Sequence, residues 1–243
     1  MKKKLTAALL ALALCLLTAA GVPQRPGPVA LTFDDGPSSK YTQVLLDGLA
    51  ARGVQVTFFV MGNSLTDQHG DIVVKNADIV RRAAAEGHQI ASHSYSHPNL
   101  TQLTDEEILA ELALTDSALE RILGPGEVMV RPPYGFAGLS PRVQALIDRP
   151  IILWSIDPAW EAESACEEDM VRCIVDRARD GDIILLHDFK GMDDVNAALR
   201  AIDILQVRGY SFVTVARLME LKGVTPAPGQ VYRRFPQPPA GAN

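Results

Sequence analysis

Two aspartates stand side by side in Asp34-Asp35-Gly36-Pro37, and two histidines lie four apart in His93-Ser94-Tyr95-Ser96-His97. A further histidine closes an apolar run, Leu185-Leu186-His187. Adjacent carboxylates suit a cation beside a proton acceptor, because the cation offsets their mutual repulsion. The same residues also read as an acidic Asp-Gly-Pro turn facing water. Imidazoles four apart fall on one face of a helical turn, a workable spacing for zinc or its first-row relatives. Together with Asp35, His93 and His97 give two imidazoles and one carboxylate, with positions left open for water and substrate. Iron oxygenases use such a set as well, so it does not fix the reaction. His187 can titrate near neutral pH, as a general acid requires, and reads equally as a capped strand-end histidine. His88, after Glu86-Gly87, reads as turn chemistry, and His69 as part of a long polar loop at 63–76 that could shape one end of a groove.

These residues need a scaffold that gathers them. Short apolar, β-rich runs at 29–33, 54–60, 89–91, 128–130, 151–154, 183–186 and 211–213 alternate with amphipathic stretches at 41–52, 79–86, 105–123, 141–148, 169–180 and 194–208. Thr104 and Glu107 form a capping box, and Ser140-Pro141 places proline at a first helical position. Repeated alternation predicts an α/β fold with a parallel sheet under helices, and about seven units suit a (β/α) barrel better than an open sheet. The polar residues follow the strands. Asp34-Asp35 come after the first, His93 and His97 after the third, Arg131 after the fourth, Asp157 after the fifth and His187 after the sixth. In a parallel barrel those strand ends open onto one face, where active sites are built.

The chain has 243 residues, 47% hydrophobic and 21% charged, which excludes disorder and coiled coil. A net charge of −6 without a basic patch interleaved with aromatics excludes nucleic acid as a partner. Met1-Lys2-Lys3-Lys4, the apolar run 5–20 and Thr18-Ala19-Ala20 read as a secretory signal peptide. The run is shorter than the ~20 residues of a comfortable membrane helix; an uncleaved anchor is the alternative reading. Leu14 before Cys15 is too large for the usual lipoprotein site. The expected organisation is a signal at 1–20, a short linker at 21–28, a folded α/β domain at 29–221 and a Pro/Gly-rich tail at 222–243. The protein is then secreted or held on the outer face of the envelope, with no obligate protein partner evident. Cys166 and Cys173 on one helix would sit ~10 Å apart along its axis, beyond disulfide reach; they can meet only if Cys166 precedes the helix.

Four motifs resemble a known family: Thr32-Phe33-Asp34-Asp35-Gly36-Pro37, the His93…His97 pair, Arg131-Pro132-Pro133-Tyr134-Gly135 and Leu185-Leu186-His187. They come in the order found in polysaccharide deacetylases, the NodB-homology group or carbohydrate esterase family 4, and the resemblance runs from about residue 29 to 221. Each motif alone is weak; four in order are specific. The resemblance implies a distorted (β/α) barrel and metal-dependent removal of acetyl groups from sugars, usually N-acetyl groups. It implies Asp35, His93 and His97 as ligands of a divalent metal ion, zinc (Zn) foremost, with cobalt, nickel or manganese as alternatives. It implies Asp34 as the base, Arg131 as the residue that pairs with and orients it, and His187 as the acid. Pro133, Tyr134 and Gly135 would line the substrate groove, with the Tyr134 backbone N–H as an oxyanion donor.

One motif departs from the family. Where Asp-x-x-Asp-Trp is common, this chain reads Asp157-Pro158-Ala159-Trp160, so a residue is missing or the second aspartate is replaced by Ala159. The roles of Asp157 and the acid strength of His187 therefore stay open, and Trp160 reads either as rim packing or as a sugar contact. The resulting expectation is an N-deacetylase acting on an acetylated amino-sugar polymer, peptidoglycan foremost, or on an oligosaccharide. An O-acetyl esterase of polysaccharides such as xylan and a sugar-binding relative without turnover are the alternatives.

Overall fold

A computed structural model describes residues 26–126, 128–136 and 140–235. The expected signal peptide, most of the linker and the end of the tail lie outside the described residues. The strands are β1 (Pro28–Asp34), β2 (Thr57–Val60), β3 (Gln89–Ser92), β4 (Ile151–Ile152), β5 (Ile183–His187), β6 (Ser211–Phe212) and β7 (Val231–Tyr232). The helices are α1 (Thr42–Arg52), α2 (Gly62–Leu65), α3 (Val74–Ala85), α4 (Asp105–Leu123), α5 (Pro141–Leu146), α6 (Pro158–Glu161), α7 (Glu167–Arg177), α8 (Met192–Val207) and α9 (Val215–Leu221). Strands β3, β2, β1 and β5 pair in that order, all parallel. Single parallel bridges carry the ring onward, from Ser92 to Val130, Val130 to Ile151 and Ile156 to Ile184. The fold is a distorted (β/α) barrel, regular around β1 and reduced to single bridges on the far side.

The strands form because they are apolar on both faces: Val29, Ala30, Leu31 and Phe33 are fully buried, as expected of parallel strands with helices outside and a filled barrel within. Helix α4 starts where the capping box places it. The Thr104 hydroxyl accepts the Glu107 N–H at 3.3 Å, and the Glu107 carboxylate accepts the Thr104 N–H at 2.8 Å. Proline opens α5 as expected.

Two expectations need correction. The segment 63–76 is no open polar loop: it contains most of α2, an antiparallel bridge from Thr66 to Ile72 and the start of α3. Fully buried Leu65 and Ala77 anchor it, and the Asn76 amide donates to the Ser64 carbonyl at 2.6 Å. The barrel domain also does not end at 221. Strand β7 pairs in parallel with β4, and Phe235 is 2% exposed among Ile152, Val215 and Met219. The apolar anchors Val231, Tyr232 and Phe235 are hidden in sequence by the prolines and glycines around them.

Cys166 does precede its helix, as the N-cap of α7, yet both cysteines are free, with Cys166 exposed and Cys173 buried. Among the described residues no helix is long and apolar enough to cross a membrane.

Candidate active site

The register of the barrel assembles the first elements of the site. Strand β1 pairs with β5 so that their last residues, Asp34 and His187, lie opposite each other. The next residue, Asp35, turns out of the strand at φ +71°, and Ser94, His97 and Tyr134 share this left-handed conformation. For non-glycine residues such backbone costs on the order of 1–3 kcal/mol each and persists only where the surroundings impose it. Here it marks one face of the barrel. His93 and His97 are therefore set by a strained turn rather than by the helical turn their spacing suggests. Glu111 on α4 holds that turn, accepting the N–H groups of Tyr95 and Ser96 at 2.8 Å each.

Three side chains converge on one point. The Nε2 atoms of His93 and His97 stand 3.4 and 3.3 Å from Asp35 Oδ1, and one ligand atom from each residue lies within 4.8 Å of the others. Asp35 Oδ1 is buried without a hydrogen-bond partner, a costly state for an anion. Ligands ~2.0–2.1 Å from a tetrahedral ion are ~3.3 Å from one another, so the three residues fit a divalent metal. Their protonation fits too. Burial, then His93, push the His97 imidazole below its usual range, towards the neutral ligand form. Burial alone would raise the Asp35 carboxyl, but the approach and charge of His93, with His187 and His97, bring it to about 2. The His93 Nδ1 nitrogen lies 2.7 Å from the Arg131 carbonyl; donating there, it leaves Nε2 as the free lone pair.

Asp34 has different company. Arg131 Nη1 donates to its Oδ1 at 2.6 Å and to Thr32 Oγ1 at 2.9 Å. The guanidinium is fully buried, donates to the carbonyls of Ile152 and Leu153, and lies 4.0 Å over the Phe59 ring. A buried cation persists only with its partners satisfied, so Arg131 fixes Asp34 rigidly. His187 sits near both. Burial lowers its pKa, but Asp194 and then Asp34 outweigh that and hold the imidazole above its usual range.

The remaining expected residues line the rim. Tyr134 sets its ring edge-on to His97 with centroids 4.7 Å apart. Pro133 and Gly135 flank it in the same turn, and at Gly135, φ +71°, a Cβ would lie 2.9 Å from the Trp154 ring. Asp157 is the N-cap of α6 and accepts the Trp160 N–H at 3.2 Å; burial raises its pKa. Trp160 is 87% exposed and does not pack against the rim. His88 is structural, its Nδ1 accepting the Val56 N–H at 3.1 Å, and His69 is exposed beside Gln68.

Sequence reasoning overlooked Glu111, Asp188 and Asp194. Asp188 is fully buried behind the aspartate turn, accepts the Thr42 hydroxyl at 2.5 Å, and is pushed by burial up to about 7. A Cβ at Gly36 would lie 2.3 Å from Asp188 Oδ1. Gly36→Ala is accordingly expected to cost about 1–3 kcal/mol and to weaken metal binding by shifting Asp35. Urea denaturation and a metal titration check this; an unchanged midpoint would show that the turn has room.

The sequence model described as polysaccharide deacetylase matches residues 21–145. The chain is 38% identical over 199 residues to a bifunctional xylanase/deacetylase of Pseudobutyrivibrio xylanivorans, covering 82% of this chain and 31% of that protein. It is 36% identical over 191 residues to the peptidoglycan-N-acetylglucosamine deacetylase PgdA of Listeria monocytogenes, covering 78% of this chain and 38% of PgdA. The chain thus spans about a third of the length of these relatives. Among solved structures it resembles a family 4 acetyl xylan esterase from Clostridium thermocellum in complex with a cobalt ion. The TM-score is 0.75 at 31% identity, over 86% of this chain and 99% of that one.

Proposed function

Because the chain belongs to the polysaccharide deacetylase family, we propose that it is an exported metal-dependent hydrolase that removes N-acetyl groups from an amino-sugar polymer, with peptidoglycan as the first candidate. The observation that carries this reading is the unequal company of two adjacent carboxylates: Asp35 has an unpartnered oxygen between two imidazoles, while Asp34 is gripped by Arg131. A divalent ion held by Asp35, His93 and His97, zinc in our assignment with cobalt, nickel or manganese as substitutes, supplies Lewis acidity to the acetyl carbonyl and to the attacking water. Asp34 accepts the proton of that water, and Arg131 keeps its carboxylate aimed. The Tyr134 N–H donates to the oxygen on which negative charge develops. His187 delivers a proton to the departing nitrogen. The exposed rings of Tyr134, Phe136, Trp160 and Phe189 offer faces for sugar rings around this centre.

Amide chemistry asks more of His187 as a proton donor than ester chemistry does. An amine leaves poorly unless protonated, whereas the alkoxide of an activated ester needs less help. His187→Ala is therefore expected to lower N-deacetylation by on the order of 10²-fold and hydrolysis of an aryl acetate much less. Equal losses on both substrates would assign His187 a binding or structural role. The second reading, an O-acetyl esterase, is favoured by similarity to the xylanase/deacetylase and the acetyl xylan esterase. Incubating the metal-loaded protein with peptidoglycan, chitooligosaccharide and acetylated xylan decides between them. Free amine from either of the first two supports the proposal, and acetate from xylan alone supports the esterase. We assign the protein to the outside of the cell, released by cleavage near residue 20 or held there by an uncleaved anchor.

A further inference from the structure

Asp194 stands at the start of α8, where a carboxylate ordinarily serves only to offset the helix dipole. Its position is more specific than that. Asp194 Oδ1 accepts the backbone N–H of His187 at 2.9 Å and lies 3.4 Å from Nδ1 of the same residue's ring. One oxygen thus addresses both the backbone and the imidazole of a single histidine. With Nδ1 turned towards α8, Nε2 is the nitrogen left for a leaving group.

The other carboxylates near His187 are committed elsewhere. Asp34, the last residue of β1, and Asp35, just beyond it, act on it through charge alone; Arg131 grips the first, and the second faces His93 and His97. Asp157, before α6, also feels His187, yet it caps its own helix at the Trp160 N–H. The nearby cation is Lys190, 63% exposed and 3.9 Å from Asp35 Oδ2, which opposes the protonated imidazole.

We infer that Asp194 is the positioning residue for His187, fixing its ring orientation and supporting its protonated form through these two contacts. This rests on the reading of His187 as proton donor. The contact does two things. It selects the Nδ1–H tautomer when the ring is neutral, and it places a negative charge beside the ring when it is protonated. A proton then leaves from Nε2, the side facing the cleft.

The test is NMR titration of His187 in the metal-free full chain, assigned with His187→Ala, for wild type, Asp194→Asn, Asp194→Glu and Asp193→Asn. Asp194→Asn should lower the His187 pKa by on the order of one unit, and Asp194→Glu should restore part of it. Asp193→Asn, which removes the neighbouring charge from the same helical turn, should leave it in place. An unmoved titration in Asp194→Asn, or an equal shift in Asp193→Asn, would overturn the inference. If Asp194→Asn does not fold, the wild-type ring still decides: neutral His187 should carry its proton on Nδ1, and an Nε2–H tautomer would overturn the assignment. These readouts need no substrate. A protein that shows the shift but releases no amine keeps the inference and loses the proposed reaction. Where amine is released, the alkaline limb of its pH profile should move down with the NMR value, and a limb that stays fixed would show that Asp194 does not act through His187.

Discussion

Asp34→Asn is expected to bind as much metal as the native protein while losing about 10²–10⁴-fold in turnover, the usual contribution of a general base. The substitution keeps the oxygen that accepts from Arg131 Nη1 and removes the basicity. It also leaves a fully buried guanidinium without its counter-charge. Breaking such a pair outright costs about 3–5 kcal/mol, so a smaller fall in melting temperature should accompany the kinetic loss. Turnover at saturating substrate, elemental analysis and thermal denaturation separate the effects. A kinetic loss under tenfold would contradict the role of base, and a metal-free variant would make both aspartates ligands.

His93→Ala and His97→Ala are each expected to lower metal affinity by more than the 10–100-fold typical of changing a ligand's supporting partner, and activity in proportion. His97 is the cleaner test, because its side chain is partly exposed and its loss disturbs little packing. His93 is buried and bonded to the Arg131 carbonyl, so His93→Ala should destabilise the fold as well. Unchanged bound metal in both variants would remove these residues from the ligand set.

Much of this site is legible in the sequence because a parallel barrel turns sequence order into spatial order. A polar residue just after an apolar strand lands on the face where these side chains converge, which is how Asp34, His93, Arg131 and His187 declare themselves. The α4 boundaries are equally legible, since a capping box is a local device. What stays hidden depends on distant partners. Nothing in Met192-Asp193-Asp194 says that one carboxylate reaches back to His187, or that Glu111 in mid-helix ties down the histidine turn. The spacing of His93 and His97 suggests a helix, whereas left-handed backbone at Ser94 and His97 does the work. Strand β7 escapes notice because two residues between prolines and glycines carry no period; its place is set by β4, some eighty residues earlier in the chain.

The most direct test of a metal-dependent N-deacetylase is the stoichiometry of its products. Purified protein, stripped with chelator and reloaded with zinc, is incubated with peptidoglycan while acetate and free amine are measured together. Acetate and amine rising in equal amounts, only after reloading and not with Asp34→Asn, is the result predicted. Acetate without amine, or release that persists in the stripped protein, would contradict it.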